Sequence, residues 1–472
     1  MWSGEGERLL SVGIDLGTST TQLIFSDLTV ENRAGPFAVP RMDITRREVR
    51  YRSPVRFTPL LDPVTIDAAG VRGMVGAEYT KAGIDPKQVQ TGAVIITGET
   101  ARKENAQQVL AALSDFAGDF VVATAGPDLE SVLAARGAGA DELSRTRHAS
   151  VLHFDVGGGT ANLAYFEQGE LAGVGCYEVG GRLVRFGEHV DYVAPVLRKR
   201  FPGLRVGEKV DMSMLTPVVE ELARVLAQAA GLVPEHDLLE IYATPGAAPP
   251  RVYHPDLVTF SGGVADCLWA PPEDWRAYGD IGVLLGRALQ AQFSPLGERL
   301  VQVKETIRAT VVGAGSHATE LSGSTVYCRE VDLPLKNLPV AALTAGESGA
   351  EEDLARTALE RLELYGGQTA ALALEGLPSP TYPQVTALAD TLASVLSRRE
   401  PPYVVVLERD MAKALGQALS RRLRGPLLCL DGIRTRTGDY LDVGRPIAGG
   451  QVFPVVVKTL AFAPGEHKEG TN

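Results

Sequence analysis

Two segments of the chain repeat each other at a constant spacing of 140 residues. Residues 12–25 read VGIDLGTSTTQLIF and residues 152–165 read LHFDVGGGTANLAY, so that Asp15 aligns with Asp155 without a gap. The other matched positions are Gly17 with Gly157, Thr20 with Thr160, Leu23 with Leu163, and the amides Gln22 with Asn162. Because a fixed internal period reports on architecture directly, the economical interpretation is a chain with two duplicated halves.

Both copies have the pattern of a β-hairpin. A short apolar strand, residues 10–14 in the first copy and 151–154 in the second, leads into the aspartate. A turn of glycine and small hydroxyl residues follows, and then a second strand rich in β-branched or aromatic residues. Glycine permits a tight turn and the close approach of a ligand, and the N–H groups of such a turn can surround a phosphate. The repeat therefore predicts one phosphate-binding cleft shared by the two halves.

The two hairpins supply the predicted ligands of a metal-bound nucleotide. Asp15 and Asp155 would face the same cleft, and two carboxylates across a triphosphate suit Mg²⁺, a hard cation that keeps several waters. We assign both as catalytic residues and as metal ligands acting through water, with ATP and Mg²⁺ as the cofactors. The residues predicted to hold the phosphates are Gly17, Thr18, Ser19 and Thr20 on one side and Gly157, Gly158, Gly159 and Thr160 on the other.

These loops resemble the phosphate-1 and phosphate-2 loops of the actin, Hsp70 and sugar-kinase ATPase superfamily. The resemblance implies an α/β fold with two ribonuclease-H-like domains around a nucleotide cleft. It also implies an adenosine motif, an apolar strand followed by two glycines, which residues 257–266 (LVTFSGGVAD) match. The adenosine-binding residues assigned on this basis are Ser261, Gly262 and Gly263.

The same resemblance implies two helices of small residues that pack between the halves. Residues 127–139 match the helix of the first half, and residues 279–289 match the helix of the second half. A rival adenosine loop is residues 311–316 (VVGAGS), from which Gly313 is assigned as a further nucleotide-binding residue.

A narrower resemblance covers nearly the whole chain. The residues that carry it are 93–106 (AVIITGETARKENA), 154–170, 258–266, 310–326 and 430–462. They resemble the ethanolamine ammonia-lyase reactivating factor. That family implies an ATP-dependent, chaperone-like protein whose partner is the lyase. It would release damaged or adenosyl-lacking cobalamin from the inactivated enzyme, so that intact adenosylcobalamin can bind.

The residue that would activate water is less clearly marked. Hsp70 has a glutamate before the proline of its first connecting helix, whereas Gly126 occupies that position here. Glu99 is assigned by sequence context as the substitute, although it would also serve as an N-terminal carboxylate of a helix over residues 101–118. The next candidates are Asp128 and Glu130. A site of this kind predicts a slow Mg²⁺-dependent ATPase that serves as a conformational switch.

With 472 residues the chain exceeds the size at which single cores stop growing, about 250 to 300 residues. The predicted domains are a first ATPase half at 1–148 with a small insert at 36–90, a second half at 149–330, and a C-terminal α/β module at 331–472. In that module, apolar segments alternate with amphipathic helical ones, which predicts a parallel sheet. The predicted strands are 338–343, 369–374, 403–407 and 427–430, and the predicted helices are 350–364, 383–398 and 410–423. We assign the module to partner contact or assembly.

Charge and composition exclude several other classes. A formal net charge of -12 and a pI near 5.2 disfavour nucleic acid and anionic membrane surfaces as partners. The four cysteines form no CxxC pair, and His148 and His153 have no companion at ligand spacing, so structural metal is not expected. The N-terminus lacks the pattern of a signal peptide. We predict a cytoplasmic protein; association with a bacterial microcompartment and a homodimer stay open.

Two other functions fit the same cleft. A sugar- or acetate-type kinase would need a substrate pocket facing the γ-phosphate, and no motif of that kind is recognisable. An actin-like assembly protein tethered to a membrane would carry a basic amphipathic terminal helix, whereas residues 463–472 (APGEHKEGTN) are polar. The reactivating factor is therefore preferred.

Overall fold

In the part of the chain that the computed structural model describes, twenty-two strands and twelve α-helices are present. The described residues are 7–17, 20–33, 42–62, 65–96, 105, 109, 113, 116, 127–234, 237–317, 320–323, 325–343, 351–366, 368–436, 439–447, 450 and 452–459. Thr18, Ser19, Glu99 and the greater part of the helix predicted at 101–118 lie outside them.

The strands and helices follow each other along the whole chain. The strands are β1 Glu7–Leu16, β2 Thr20–Asn32, β3 Met42–Arg52, β4 Arg56–Phe57, β5 Leu60–Asp62, β6 Thr65–Ile66, β7 Thr91–Ile96, β8 Val151–Val156, β9 Ala161–Glu167, β10 Glu170–Tyr177, β11 Val184–Phe186, β12 Val190–Val193, β13 Leu257–Ser261, β14 Leu300–Gln302, β15 Glu320–Leu321, β16 Tyr327–Arg329, β17 Leu335–Ala342, β18 Ala371–Leu374, β19 Tyr403–Leu407, β20 Leu427–Leu430, β21 Asp439–Val443 and β22 Pro454–Thr459. The helices are α1 Ala68–Ala82, α2 Pro127–Gly137, α3 Ala140–Arg147, α4 Pro195–Arg200, α5 Met212–Ala229, α6 Leu239–Tyr242, α7 Gly263–Trp269, α8 Gly282–Phe293, α9 Ala309–His317, α10 Glu351–Glu363, α11 Tyr382–Leu396 and α12 Ala412–Ser420.

Two of the sheets have the same strand order. The first runs β3-β2-β1-β7, with β4 added beside β2, and the second runs β10-β9-β8-β13-β14. In each, the repeated hairpin is antiparallel, β1 with β2 and β8 with β9, and its first strand pairs in parallel with a later strand, β7 or β13. The α/β fold of two related halves that the sequence predicted is confirmed.

Side chains along the first strand of each hairpin alternate between two environments. Val12, Ile14 and Leu16 point into the core of the first half, and Leu152, Phe154 and Val156 point into the core of the second. All six are fully buried. Because side chains alternate between the faces of a strand, both aspartates point to the opposite face, towards the other half.

Two helices cross in the space between the halves. Helix α9 packs on β1 and β2 of the first sheet, whereas α2 packs on β9 and β10 of the second. They touch at glycines: a Cβ atom at Gly137 would lie 1.9 Å from the Ala309 carbonyl oxygen, and one at Gly313 would lie 1.9 Å from that of Leu133. Only glycine permits this backbone approach. The prediction that residues 127–139 form a helix between the halves agrees with α2.

The prediction that residues 279–289 form the matching helix between the halves was wrong. Helix α8 packs on α5 and α7, inside the second half, with Leu285 and Leu289 in that core. Its small residue Gly286 serves a contact with Cys267 of α7, since a Cβ atom there would lie 2.5 Å from the cysteine Cβ. The helix that the second half sends to the interface is α9, which contains the residues proposed as a rival adenosine loop.

Residues 36–90 contribute to the first half where they are described. Strand β3 extends the first sheet and carries exposed arginines, while β5 and β6 form a small hairpin. Helix α1 begins at its N-cap Asp67, whose carboxylate accepts a hydrogen bond from the Gly70 N–H. Val71, Val75 and Tyr79 of this helix pack into the same core as β1 and β7.

The third large sheet lies in the C-terminal part and has eight strands in the order β15-β22-β21-β17-β18-β19-β20-β16. Its centre, β17 to β20, is parallel, as the sequence predicted. Helices α10, α11 and α12 pack on one face of it. The strands at both edges are antiparallel and were not predicted.

The C-terminal sheet is attached to the first half. Val456 of β22 packs with Ile95 of β7 and with Leu133 and Ala314 of the two crossing helices. Ile447 and Val452 join a second cluster with Leu9, Leu28 and Val30 of the first sheet. Within the described ranges, no helix is both long and apolar enough to span a bilayer.

Candidate functional site

A crevice of about 530 Å³ lies between the two repeated hairpins. Both hairpins, the glycines after β13 and the start of α9 line it. The predicted residues that line it are Asp15, Gly17, Thr20, Asp155, Gly157, Gly158, Gly159, Thr160, Gly262 and Gly263. The two sequence copies, 140 residues apart, thus meet at one place.

Asp15 and Asp155 are almost completely buried at the floor of this crevice, with 8% and 7% of their surface exposed. Asp155 accepts hydrogen bonds from the Ser261 hydroxyl at 2.5 Å and from the Thr310 hydroxyl at 3.3 Å. Burial raises the pKa of the Asp155 carboxyl, and these two hydrogen bonds oppose part of that rise. A bound cation would favour the ionised form of this carboxyl.

A chain of buried hydrogen bonds supports Asp155 from below. His153 lies fully buried in β8, with Nε2 2.8 Å from the Ser261 hydroxyl and Nδ1 2.8 Å from the Thr259 hydroxyl. Burial lowers the pKa of His153 to about 3, so the imidazole is neutral at ordinary pH. Because the Ser261 hydroxyl donates to Asp155, it accepts from His153, which places the imidazole proton on Nε2. Both ring nitrogens of this buried histidine therefore have hydrogen-bond partners.

The two glycine turns have the same hydrogen bond at their base. The Gly17 N–H donates to the Thr20 carbonyl at 2.8 Å, and the Gly157 N–H donates to the Thr160 carbonyl at 2.9 Å. Gly159 faces open space, with no atom within 4 Å of the position that a Cβ would occupy. The second turn therefore leaves room at its tip for a group as large as a phosphate.

The residues of the predicted adenosine motif have two different roles. Gly262 and Gly263 line the crevice, and Gly262 has a φ of 86° with a would-be Cβ only 2.4 Å from the Val156 carbonyl oxygen, so glycine is required there. Ser261 instead supports Asp155. Gly313, assigned from the rival loop, lies within α9 against Leu133 and not among the residues that line the crevice.

The candidate water-activating carboxylates lie in different places relative to the crevice. Asp128 accepts a hydrogen bond from the Ala248 N–H at 3.1 Å, which directs it into a loop of the second half. Glu130, in the first turn of α2, is half-buried and lines the crevice with the two aspartates. Glu99 falls outside the described residues. Of the described candidates, Glu130 is the one that the fold brings to the cleft.

Several lining residues were missed by the sequence reasoning. The aromatic rings of Phe57, from the first half, and Tyr278, from the second, are 80% and 62% exposed at the crevice. Asp280 accepts a hydrogen bond from the Gly282 N–H at 2.8 Å, and burial raises its pKa. Arg182 follows two glycines and donates its backbone N–H to the Gly158 carbonyl at 2.7 Å. A search for further glycine pairs would have found residues 180–182.

The donor set fits a magnesium–phosphate complex better than a metal held by protein alone. Among the residues that the structure describes, no group of three or more His, Cys, Asp or Glu side chains could enclose an ion. Two carboxylates from opposite walls, with glycine turns beside them, match a hard cation that retains waters and takes phosphate oxygens as ligands. Asp15 and Asp155 would hold such a complex. Gly17 and Gly157 line the crevice, and Gly159 leaves open space beside it for the phosphates.

Comparison with known proteins agrees with this reading of the whole chain. The family described as Ethanolamine utilisation protein EutA matches residues 7–463. The chain belongs to this family. A relative from Salmonella typhimurium, named Ethanolamine ammonia-lyase reactivase EutA, is 41% identical over 475 residues, covering 96% of this chain and 99% of its own. A relative of the same name from Escherichia coli is 41% identical over 474 residues, with the same coverage.

Solved structures show more distant likeness to this member of the EutA family. The Ppx/GppA family member of Aquifex aeolicus superposes with a TM-score of 0.39 at 14% identity, covering 65% of this chain and 97% of that one. The ethanolamine utilization protein EutJ of Carboxydothermus hydrogenoformans has a TM-score of 0.33 at 16% identity, covering 65% and 89%.

Proposed function

We propose that this chain is an ATP-dependent, chaperone-like reactivating factor for ethanolamine ammonia-lyase. It would release damaged cobalamin from the inactivated lyase so that intact adenosylcobalamin can rebind. The observation that carries the proposal is the end-to-end match at 41% identity to two proteins named as reactivases of that enzyme. The crevice between the duplicated hairpins supplies a physical basis for the dependence on nucleotide.

In the proposed mechanism Asp15 of the first half and Asp155 of the second would hold Mg²⁺, the hard cation that such carboxylates suit. The N–H groups of Gly17 and Gly157 are bonded within their own turns, so the phosphates would be held by other backbone N–H groups of the two turns. ATP bound there supplies a transferable γ-phosphoryl group and negative charge that both walls contact. Since a ligand shifts an equilibrium only by binding one conformation better, contacts from both halves would favour the closed arrangement.

The link between nucleotide and conformation would run through the crossing helices. Thr310 of α9, a helix packed on the first sheet, donates a hydrogen bond to Asp155 of the second sheet. Any change in the charge or position of Asp155 thus bears on a helix of the other half. Val456 of β22 packs against the same pair of helices. A movement of these helices on nucleotide binding would therefore be transmitted to the C-terminal sheet.

We expect slow hydrolysis, because Gly126 stands where Hsp70 has its glutamate and another carboxylate must orient the water. We assign that role to Glu130, with Glu99 as the alternative. A water-orienting group must come within about 3 Å of the attacking water, and a turn of helix separates Glu130 from the position that Hsp70 uses. Slow turnover would keep the closed state occupied long enough to act on a protein partner.

The module over residues 331–472 would contact the lyase or mediate assembly, and the cytoplasm is the proposed location. The parallel sheet and its three helices form a core of their own, while β22 ties that core to the nucleotide-binding half. Such an arrangement suits a partner-binding domain moved by the ATPase halves.

The proposal is tested by recovery of cyanocobalamin-inhibited lyase with ATP, Mg²⁺ and adenosylcobalamin. The parental protein should restore activity, and Asp155→Ala should reduce recovery by at least tenfold. The exposed Asp353, which lies in the C-terminal module, gives the matched control, and Asp353→Ala should leave recovery unchanged. Undiminished recovery with Asp155→Ala would remove the crevice from the mechanism. A pull-down of lyase with and without ATP completes the test, because a small-molecule kinase would not retain the lyase.

A further inference from the structure

Two buried amide oxygens in the crevice lack a hydrogen-bond partner among the described residues. They are Oε1 of Gln22 and Oδ1 of Asn162, and the side chains are only 4% and 2% exposed. Both residues line the crevice. A buried polar atom without a partner costs about 1–3 kcal/mol, and native proteins contain few of them. Two such atoms in one crevice indicate a ligand that donates hydrogen bonds.

These amides occupy equivalent positions in the two halves. Gln22 lies directly opposite Asp15 in the β1–β2 hairpin, and Asn162 lies directly opposite Asp155 in the β8–β9 hairpin. Opposed residues of antiparallel strands share a face and have Cβ atoms about 4.5–5.5 Å apart. Each half therefore presents one carboxylate and one amide to the same space.

The direction of the Gln22 amide is set by a second contact. Its Nε2 donates a hydrogen bond to the Ile307 carbonyl at 3.1 Å. A carbonyl oxygen only accepts hydrogen bonds, so the nitrogen must face Ile307 and the amide oxygen must face away from it. The unpartnered oxygen is thus held in place by the fold, in a residue that lines the crevice.

We propose that Gln22 and Asn162 complete the outer shell of the metal site, their amide oxygens accepting hydrogen bonds from waters carried by Mg²⁺. The inference rests on the proposed ATP- and Mg²⁺-dependent function and assigns that site two further positioning residues. Water bound to a dication is a strong donor, and Mg²⁺ in proteins usually keeps several waters. One carboxylate and one amide from each wall would then position the hydrated ion.

The experiment measures the affinity of the full-length protein for ATP by calorimetry, in Mg²⁺ and in EDTA. Asn162→Leu and Gln22→Met keep approximate side-chain size and remove the amide. We expect each to weaken binding of ATP in Mg²⁺ by about tenfold, the lower end of the effect of outer-shell partners, and to change binding in EDTA by less than about twofold. Asn162→Asp, which restores an acceptor oxygen, should retain the preference for Mg²⁺.

Gln228 provides a matched control, because it is a fully buried amide whose two ends are paired, with Asp237 and with the Leu238 N–H. Gln228→Met should lower the melting temperature and leave the ratio of the two affinities unchanged. Parental ratios in both Asn162→Leu and Gln22→Met would overturn the inference while leaving the proposed function intact. A parental protein that binds ATP equally with and without Mg²⁺ would instead refute the metal site itself. Melting of each ligand-free variant verifies that it is folded, and the two variants test the idea independently.

Discussion

The two halves have very different residues two positions before their matching aspartates, Gly13 in the first and His153 in the second. In the first half helix α9 lies directly over β1: a Cβ atom at Gly13 would lie 2.5 Å from the Val311 carbonyl oxygen, and Ser11 donates a hydrogen bond to the Gly315 carbonyl at 2.6 Å. In the second half helix α2 is centred over β9 and β10. The space beside β8 is filled by the imidazole of His153.

This difference shows how one duplicated hairpin serves two purposes. In the first half, one face of β1 packs against the backbone of α9. The same helix carries Thr310, which donates a hydrogen bond to Asp155 of the second half. The second half uses the equivalent face for hydrogen bonds that hold Asp155 through Ser261. This face of the hairpin therefore contacts a helix in the first half, whereas in the second half it positions the carboxylate of Asp155.

The largest effect is expected when a side chain is added where α9 contacts β1 of the first half. Gly13→Ala would place a methyl group against the backbone of Val311 and Gly315, which cannot move aside as a side chain can. We expect a loss of about 1–3 kcal/mol in the free energy of unfolding, or more, measured by urea denaturation.

The control for that variant is Gly73→Ala, in the exposed part of α1, where no atom lies within 4 Å of the new Cβ. It should be neutral or stabilising by up to about 1 kcal/mol, because alanine favours helix over glycine. Equal stability of Gly13→Ala and Gly73→Ala would show that α9 does not bear on β1 as described.

The second prediction concerns pH and His153. Burial lowers the pKa of this histidine from its ordinary value of 6.5 to about 3, so between these pH values the unfolded chain binds more protons than the native one. Stability should therefore fall as pH falls, by about 2 kcal/mol between pH 7 and pH 5 from this group alone. Denaturant titration of the parental protein and of His153→Gln should differ by that amount in their pH dependence.

The raised pKa of Asp155 acts in the opposite direction, because a native carboxyl that protonates easily favours the folded state in acid. Comparing the variant with the parental protein isolates the histidine, since both retain Asp155. His148→Gln, at an exposed position, controls for loss of a histidine and should keep the parental slope. An identical slope in His153→Gln would contradict the buried neutral imidazole.

The smallest effect is expected at an ion pair that ties β3 of the first half to the segment before α9. Arg52 and Glu305 lie 2.5 Å apart, with side chains 43% and 25% exposed. Pairs exposed to this degree contribute about 0.2–1 kcal/mol. A double-mutant cycle with Arg52→Ala and Glu305→Ala should give a coupling energy in that range, reduced by salt. A larger coupling would mean that the helix is held to the first half by charge as well as by glycine contact.

Much of the fold followed from patterns that are local or repeated. The hairpins at residues 12–25 and 152–165 were predicted because apolar strands, aspartates and glycine turns recur in register. The α2 helix was implied by the resemblance to the ATPase superfamily, and the parallel centre of the C-terminal sheet was predicted from the alternation of apolar segments with amphipathic helical ones. The antiparallel strands β15, β16, β21 and β22 were missed. The two at the edges, β15 and β16, have only two and three residues, which is too short to show a period.

The errors share one physical cause. Glycines in residues 279–289 and 311–316 both make close backbone contacts in the structure, Gly286 with Cys267 and Gly313 with Leu133. Small residues do not specify their partner, however, so the helix between the halves was assigned to the wrong segment, and Gly313 was placed in a nucleotide loop.

The proton position on His153 also depends on the parallel pairing of β8 with β13, which aligns His153 with Thr259 and Asp155 with Ser261.

By itself the sequence determined that the chain has two halves, that each presents an aspartate after a buried strand, and that glycine turns accompany both. Those features are properties of a few consecutive residues. The tertiary structure alone decided that Thr310 reaches Asp155 across the halves, that Glu130 and not Asp128 enters the crevice, and that two amide oxygens remain unpaired there. Such contacts join residues far apart in the chain, and only packing determines which of them meet.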